Sequence, residues 1–431
     1  MNKALMARAL PATLLGLFSA QAGAAAFQLL EQSASGLGNA FAGSAAVAEN
    51  ASTVYFNPAG MTQLAGNNLS VGFNYITLKT QFHNGNSANP YGPYARNLSN
   101  DGGDAGDAAV VPNFYFTKEI TPNWYIGFGA GGPFGLRTDY PSDFRGKYLA
   151  LKSDIQAINL NPSIAYKAND RVSLGFGLNY QKFEAELSSA VNGSIYGDGK
   201  FKVNGDDWSW GWNAGALFTL SPQTKIGVSY RSAIQHEVKG NYNLSGLPTL
   251  VINQAGYPST SGNAKVSIKL PETWILSATH QLNDRWELLG DVSMTGWSSV
   301  PELRIKFANG APDKYSTYKW KDSWRVALGA NYTLSERTKL KFGVAVDKTP
   351  LDGSTYRTPR LPDEDRLWLS LGLQYKLMPG HTIDVGYAYL SAKDAKIHDS
   401  GTPANAMQNG VLDGTYKSHV QILGVQYSMQ F

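Results

Sequence analysis

Most of the chain alternates between apolar residues and small or polar ones with a period of two, which is the periodicity of a β-strand. One apolar row takes every second residue from Val172 to Tyr180, and Ser, Gly and Asn fill the positions between them. Similar rows form roughly fourteen segments, near residues 68–80, 108–118, 123–133, 151–166, 171–188, 207–220, 223–239, 263–281, 285–297, 315–334, 337–349, 362–377, 380–397 and 415–431. The pattern predicts an all-β chain.

Many of these segments are longer than the strands of soluble proteins, which average about 5–6 residues. Strands of about 9–11 residues or more with one apolar face suit a barrel in lipid. The other face carries Gly, Ser, Asn and charged residues, as expected for a hydrated lumen. Because a sheet in hydrocarbon must close to satisfy its backbone, we predict a transmembrane antiparallel β-barrel of about 14 strands. A soluble β-sandwich is the alternative.

The connections between the segments alternate in length. Short ones lie at 168–170, 221–222, 283–284, 335–336 and 379–380, and long ones cover about 81–107, 134–150, 189–206, 240–262, 298–314, 350–361 and 398–414. Short turns on one side and long polar loops on the other are typical of outer-membrane barrels. Trp286, Trp297, Trp320 and Tyr427 lie near segment ends, where we expect interfacial aromatic girdles.

Residues 1–24 have the features of a secretory signal peptide. Lys3 and Arg8 precede a short apolar run, and Ala22-Gly23-Ala24 is a small-residue cleavage site. Cleavage after Ala24 removes two positive charges and takes the formal net charge from +4 to +2, which argues against nucleic acid as a partner. The chain has no Cys, so disulfides and thiolate chemistry are excluded.

The stretch 25–66 differs from the rest and predicts a plug inside the barrel. Between Ser33 and Ala51, 13 of 19 residues are Ala, Gly or Ser, so the segment can thread a narrow interior. It then turns at Asn57-Pro58-Ala59-Gly60, where Pro fixes φ. We therefore divide the chain into a signal peptide (1–24), an N-terminal hatch (25–66) and the barrel (67–431). A flexible linker is the alternative for the hatch.

The third segment is interrupted by Gly129, Gly131, Gly132 and Pro133, followed by Phe134. Gly and Pro weaken a ladder and mark bulges, and Pro donates no hydrogen bond. Two interpretations remain open: the barrel wall opens sideways here, or the strand ends at Gly131 and a loop begins.

The sequence shows no recognisable active site. Its six His are scattered, and there is no nucleophile elbow, P-loop or dinucleotide fingerprint. Asp363-Glu364-Asp365-Arg366 is interpreted as a strand-entry cluster rather than a catalytic pair. We expect no enzymatic activity, no metal and no cofactor. Inward-facing members of a basic group in the 314–341 region are candidates to meet an anionic head group. For any single Lys, loop solvation or contact with lipopolysaccharide is the favoured explanation.

Several motifs resemble the FadL-type long-chain fatty acid transporters of Gram-negative outer membranes. They lie in order along the mature chain: Ala25-Ala-Phe27-Gln-Leu, Ser35-Gly-Leu-Gly38, Asn57-Pro58-Ala59, Gly211-Trp-Asn-Ala-Gly215, Leu270-Pro-Glu-Thr-Trp274, Lys321-Asp-Ser-Trp-Arg325, Leu361-Pro-Asp-Glu-Asp-Arg-Leu-Trp368 and the terminal Phe431. The resemblance implies a 14-stranded barrel plugged by the hatch, in the outer membrane.

The resemblance also implies roles for individual residues. Phe27 would lie in or beside a hydrophobic ligand pocket. Asn57, Pro58 and Ala59 would pack against the kinked third strand. An apolar groove among the long loops near Phe134 and Leu136 would capture the ligand, which would leave sideways through the wall after the hatch moves.

One departure concerns the basic pair that meets the fatty carboxylate in this family. The matching positions here are Ser189 and Ser316, and Lys314, Lys319 or Lys182 are candidate substitutes. We expect a monomeric, passive outer-membrane importer of long-chain fatty acids or similar hydrophobic compounds, in contact with membrane lipid and lipopolysaccharide. The alternatives are a hydrocarbon or aromatic-compound channel of the same family, a general diffusion porin, or an envelope enzyme such as a barrel lipase.

Overall fold

The computed structural model describes residues 26–254, 256–401 and 405–431, so the predicted signal peptide lies outside the described residues. The strands are β1 (Asn67–Asn84), β2 (Ala108–Thr121), β3 (Trp124–Gly131), β4 (Gly135–Asp139), β5 (Lys152–Lys167), β6 (Val172–Asn192), β7 (Asp198–Ser221), β8 (Thr224–Arg231), β9 (Ile234–Ser245), β10 (Ser261–Leu270), β11 (Thr273–Gln281), β12 (Trp286–Thr295), β13 (Glu302–Phe307), β14 (Lys314–Thr317), β15 (Ser323–Thr333), β16 (Thr338–Asp347), β17 (Arg366–Met378), β18 (His381–Ala392), β19 (Ala395–Asp399) and β20 (Leu412–Gln430). Short α-helices span Ala34–Leu37, Thr53–Phe56, Thr249–Gln254 and Ala406–Asn409, and 3₁₀ turns span Pro58–Gln63, Gly92–Tyr94, Ser194–Tyr196 and Trp297–Ser299.

The strands form one closed antiparallel barrel with fourteen positions. Six of these positions consist of two consecutive segments, namely β3 with β4, β8 with β9, β10 with β11, β12 with β13, β14 with β15, and β18 with β19. The barrel closes where β1 pairs with β20 over its whole length, from Asn68 opposite Gln430 to Asn84 opposite Gly414. The predicted fold class is confirmed, and the predicted segments match the fourteen positions closely.

The outer surface carries the apolar rows that face lipid. Aromatic side chains border this band on both sides, as interfacial girdles do. On the side of the short turns, Trp124 lies 4.6 Å from Tyr166 and Trp286 lies 4.7 Å from Tyr332, measured between ring centroids. On the side of the long loops, Tyr230 lies 4.4 Å from Trp274. Among the described residues, no helix is both long and apolar enough to cross a membrane.

Two predicted girdle residues are not on the surface. Trp297 and Trp320 are buried, with 0% and 6% of their area exposed, and they pack inside the barrel at 5.4 Å from each other. Both lie where the alternation of a strand has ended, so the sequence pattern does not show which way they face.

Residues 26–66 fill the barrel interior and bond to its wall around the whole circumference. Ser33 Oγ donates to Gln426 on β20, Ser44 Oγ to Asp291 on β12, and Asn57 Nδ2 to the carbonyl of Ala216 on β7. Further wall contacts come from Asn74, Ser173, Arg231, Ser277, Asn331 and Lys341. We call residues 26–66 the hatch.

A ring of inward-facing glycines lets the hatch backbone approach the wall. A Cβ at Gly227 would overlap the Ala45 carbonyl, one at Gly343 would overlap the Asn39 backbone, and one at Gly372 would lie 2.8 Å from the Gly38 Cα. Contacts this short do not occur between real Cβ atoms and backbone, so glycine is required where wall and hatch meet.

Candidate functional site

An apolar cavity lies above the hatch, towards the long loops. Its volume is about 800 Å³ with the open space at its mouth included, which is within the range of small-molecule sites. Almost every lining side chain is aliphatic or aromatic; they include Phe27, Leu136, Ile155, Phe183, Leu187, Val203, Val238, Val266, Ile268, Val300, Leu303, Tyr318, Trp320 and Leu361. Arg360 is the only charged side chain in this described lining.

Phe27 forms part of the cavity lining, as the resemblance implies. Its ring centroid lies 4.8 Å from Trp297, 5.9 Å from Phe134 and 6.1 Å from Trp320, and 3% of the residue is exposed. The first residues of the hatch therefore contribute directly to the ligand-sized space.

Leu136 lines this interior cavity, and Phe134 packs beside it against Phe27 and Trp297, so neither residue lies in a groove among the loops. Both are about 5% exposed, and Leu136 lines the cavity next to Phe27. The expectation of a loop groove at these two residues is corrected accordingly, because β4 re-enters the wall at Gly135 and turns their side chains inward.

Arg360 lies in the loop between β16 and β17, and all its hydrogen bonds go to uncharged acceptors. Its guanidinium donates to the carbonyls of Lys152, Leu149 and Ser188 and to Ser153 Oγ, at 3.0–3.1 Å. Among the described residues no carboxylate forms an ion pair with it. Burial lowers the pKa of Arg360, although an arginine keeps its charge. The cavity thus contains one fixed positive charge without a directly paired carboxylate, although Asp399 acts on it from beyond ion-pair distance.

Lys314 lies at the mouth of the same region. Its Nζ donates to Ser189 Oγ at 3.0 Å and lies 4.3 Å from the centre of the Phe201 ring. Ser189 and Ser316 are the positions where the resemblance places a basic pair, so a lysine two residues from Ser316 reaches the same place. Burial, with repulsion from Arg360 as a smaller cause, lowers the pKa of Lys314 to about 7.

This lysine also lines a larger, partly polar cavity that opens among the long loops. Its volume is about 2380 Å³ with open solvent included, and Ser316, Phe201, Tyr148 and Asn192 line it as well. Lys314 thus lines the outer cavity, whereas Arg360 lines the apolar interior.

Lys182 and Lys319 do not join this group. Lys182 is on the outer face of β6, where its ammonium lies 3.0 Å from Glu184. Phe183, the next residue, is the one that faces the cavity. Lys319 lies over the Tyr356 ring at 5.0 Å, outside both cavities. Neither lysine belongs to the site that Arg360 and Lys314 form.

The barrel wall is interrupted where the sequence predicts a kink. β3 pairs with β2 up to Ala130 opposite Phe114, and β4 begins at Gly135. Among the described residues, β4 pairs with β5 only, so the edge of β2 from Ala108 to Asn113 has no ladder partner on that side. The strand ends at Gly131, and above it the edge of β2 that faces β4 is unpaired.

The hatch, rather than β2, provides the hydrogen bonds of the kink. The Leu29 amide donates to the Pro133 carbonyl at 2.8 Å, and the Gly135 amide donates to the Phe27 carbonyl at 2.9 Å. Gln32 Nε2 donates to the Gly132 carbonyl at 2.7 Å. Gly129 lies lower, where an added Cβ would be 3.0 Å from Tyr115. Phe27 therefore links the ligand cavity to the interrupted strand.

Asn57, Pro58 and Ala59 make their closest wall contacts elsewhere than the resemblance implies. Added Cβ atoms at Gly175 on β6 and Gly215 on β7 would overlap Ala59 and Asn57 respectively. Asn57 Oδ1 accepts from the Ala59 amide at 3.0 Å and fixes the turn. These residues anchor the hatch to the wall, and the kink is held by residues nearer the N-terminus.

The chain matches the family model described as "Outer membrane protein transport protein (OMPP1/FadL/TodX)" over residues 15–431. The chain belongs to this family. It is therefore an outer-membrane protein and is placed among transporters rather than enzymes. Among the described residues, no group of three or more His, Asp or Glu side chains could hold a metal ion.

Similar proteins include two curated relatives. The chain is 31% identical to the long-chain fatty acid transport protein of Escherichia coli O6:H1, with 92% of this chain and 93% of that protein aligned. It is 32% identical to the 47 kDa outer membrane protein of Pasteurella multocida, with 94% and 96% aligned.

Solved structures share the architecture. A Pseudomonas aeruginosa FadL homologue superposes with a TM-score of 0.87 at 26% identity, covering 94% of this chain and all of that one. The P. putida toluene transporter TodX has a TM-score of 0.66 at 16% identity, covering 89% and 94%, so its likeness shows the fold alone.

Proposed function

We propose that the protein carries long-chain fatty acids, or similar amphipathic compounds, passively across the outer membrane. The observation that supports this most directly is the apolar cavity with two cations, Arg360 and Lys314, that form no ion pair with a described carboxylate. An aliphatic tail fits the lining, and a carboxylate head would pair with cations that have no carboxylate within ion-pair distance.

The ligand enters through the outer cavity. Its head group is held between Lys314 and Arg360, while its tail occupies the space between Leu136, Val238 and Phe27. Tail and head thus meet surfaces of matching chemistry, as in other small-molecule sites.

Release follows displacement of Phe27. A tail that pushes this ring aside breaks the bonds between residues 27–29 and residues 133–135, which hold the kink inward. The gap between β2 and β4 then widens, and the ligand leaves sideways into the membrane. The remainder of the hatch stays in place because its bonds to the wall are spread over the whole barrel. No energy source is required, since the ligand moves down its concentration gradient.

The test is to identify the copurifying ligand by mass spectrometry and to measure oleate binding to Arg360→Gln. Removing a buried, charge-assisted hydrogen-bond donor should weaken oleate binding by about tenfold or more. Lys319→Gln is the matched control, because it removes one charge outside both cavities and should bind as the wild type does. Equal oleate affinity in Arg360→Gln would contradict this head-group site.

The second candidate is a hydrocarbon or aromatic-compound channel of the same family. It is favoured by the presence of Ser189 and Ser316 at the positions of the family's basic pair. Copurification of a neutral hydrocarbon that oleate does not displace would support it. A general diffusion porin is less favoured because the hatch fills the interior, and large steady conductance in planar bilayers would be needed to revive it.

A further inference from the structure

A row of lysines crosses three neighbouring strands on the outer face of the barrel. Lys265 on β10 is the direct partner of Lys239 on β9 and of Lys306 on β13. All three are exposed, because their neighbours Val238 and Val266 take the inward positions that line the cavity. Because neighbouring strands lie about 4.8 Å apart, the backbones of these three lysines lie within about 10 Å of one another.

The row is only partly neutralised by the protein. Lys265 forms an ion pair with Glu237 at 2.5 Å. Asp206 ends the row as the direct strand partner of Lys239, but its carboxylate lies 3.8 Å from Lys182. Lys239 and Lys306 form no ion pair with a described residue, and Lys269, which is also exposed, adds a positive charge two residues below Ser267. Like charges directly opposite each other destabilise a sheet, so this arrangement calls for an anion from outside the chain.

The residues above and below the row define the chemistry of that partner. Trp208 and Trp210 follow on the lipid side, with 39% and 62% of their area exposed. On the opposite side, Asn204, Asn241 and Asn263 form a second cross-strand row of exposed amides. Along the barrel axis the face therefore changes from aromatic to cationic to amide-bearing.

We propose that this face, formed by Lys239, Lys265 and Lys306, binds a phosphorylated glycolipid of the outer leaflet, which is the chemistry of lipopolysaccharide. The acyl chains would pack on the tryptophans, the phosphates would bind the lysines, and the sugars would bond to the asparagines. Lysine near a membrane surface attracts anionic lipid, and amide side chains both donate to and accept from hydroxyls. The site is on the opposite side of the wall from the fatty-acid cavity and does not depend on the proposed transport function.

The test is native mass spectrometry of the detergent-solubilised protein with added lipopolysaccharide. The variant K239Q/K265Q/K306Q should lose about fivefold in affinity per lysine, on the order of a hundredfold in all. The matched control is K79Q/K396Q/K417Q, which makes the same charge change at exposed lysines that are not cross-strand partners of one another. The control should bind lipopolysaccharide as the wild type does.

Further arms separate the proposal from simpler explanations. Replacing the same three residues with Arg keeps the charges and should keep binding, and circular dichroism confirms that each variant is folded. Phosphatidylglycerol should bind markedly more weakly, because it has a phosphate but lacks the sugars. The proposal is overturned if K239Q/K265Q/K306Q binds lipopolysaccharide as the wild type does, or if the control variant loses the same affinity. It is also overturned if phosphatidylglycerol binds as well as lipopolysaccharide. Oleate binding should be the same in all variants, so failure here is distinguishable from failure of the transport proposal.

Discussion

At the scale of single residues, the site is notable for cations that lack anionic partners. A buried ammonium without a carboxylate is disfavoured, and Lys314 shows this in a pKa lowered to about 7. Its hydroxyl partner Ser189 accepts a hydrogen bond but does not offset the charge. The protonation of Lys314 should therefore depend on what occupies the site.

This leads to a pH dependence of oleate binding. A carboxylate beside Nζ favours the ammonium, so the pKa of Lys314 rises when the ligand binds. Below about pH 7 the lysine is charged in both states and the interaction is fully present. Above that, binding takes up a proton, and affinity falls by at most about tenfold per pH unit until the pKa of the complex is reached.

The measurement is a titration of oleate affinity between about pH 6 and about pH 9. Lys314→Met removes the group and reports the ionisation of the fatty acid itself, so its profile is the baseline. If the wild type and Lys314→Met change in parallel with pH, Lys314 does not contact the carboxylate.

At the scale of elements, the third barrel position decides whether the wall is closed. Pro112 lies in the part of β2 that faces the gap, and Pro is compatible with such an edge because it has no amide to donate. A Cβ added at Gly131 would lie 2.5 Å from Gln32 Oε1, so the Gln32 side chain would have to shift. Small residues and an edge proline thus keep the ladder open.

Replacing Gly131-Gly132 with Val-Val should reduce uptake severalfold while leaving binding in the outer cavity intact. Valine favours a straight, paired strand and would displace Gln32 from the kink. The readouts are uptake of labelled oleate by cells and oleate binding by purified protein. Gln32→Ala serves as the opposite change, because it removes the bond to Gly132 without straightening the strand and should not reduce uptake. Unchanged uptake in the Val-Val variant would refute lateral exit.

At the scale of the whole molecule, the barrel was predictable and much of the site was not. Strand period and loop alternation are local properties, so the fourteen positions and the interruption at Gly131 follow from the sequence. Arg360 was missed because it lies in a loop without periodicity and reaches the cavity through long-range contacts. The position of Lys182 could have been read from the alternation, since Phe183 beside it faces inward.

The glycines that contact the hatch are visible in the sequence, where they occupy inward positions in the middle of strands. Gly227, Gly343 and Gly372 belong to the small-residue faces that predicted a lumen, but their spacing alone does not show that another backbone lies against them. Only the closed barrel brings Ala45, Asn39 and Gly38 to these points.

Gly343→Ala should therefore disturb the fit between hatch and barrel. The added Cβ would overlap the backbone of Asn39, whose side-chain Nδ2 donates to Asn331 Oδ1 on the next strand. Overpacking of this kind costs about 1–3 kcal/mol. We expect either lower resistance to urea or a hatch displaced enough to leak ions in planar bilayers. Gly290→Ala is the matched control, because the atom nearest to its added Cβ is 4.0 Å away, in the side chain of Leu328. If the two variants are equally stable and leak ions equally little, the inward-facing glycines do not position the hatch. The barrel would then tolerate a shift of the hatch, although the hatch bonds to the wall around its whole circumference.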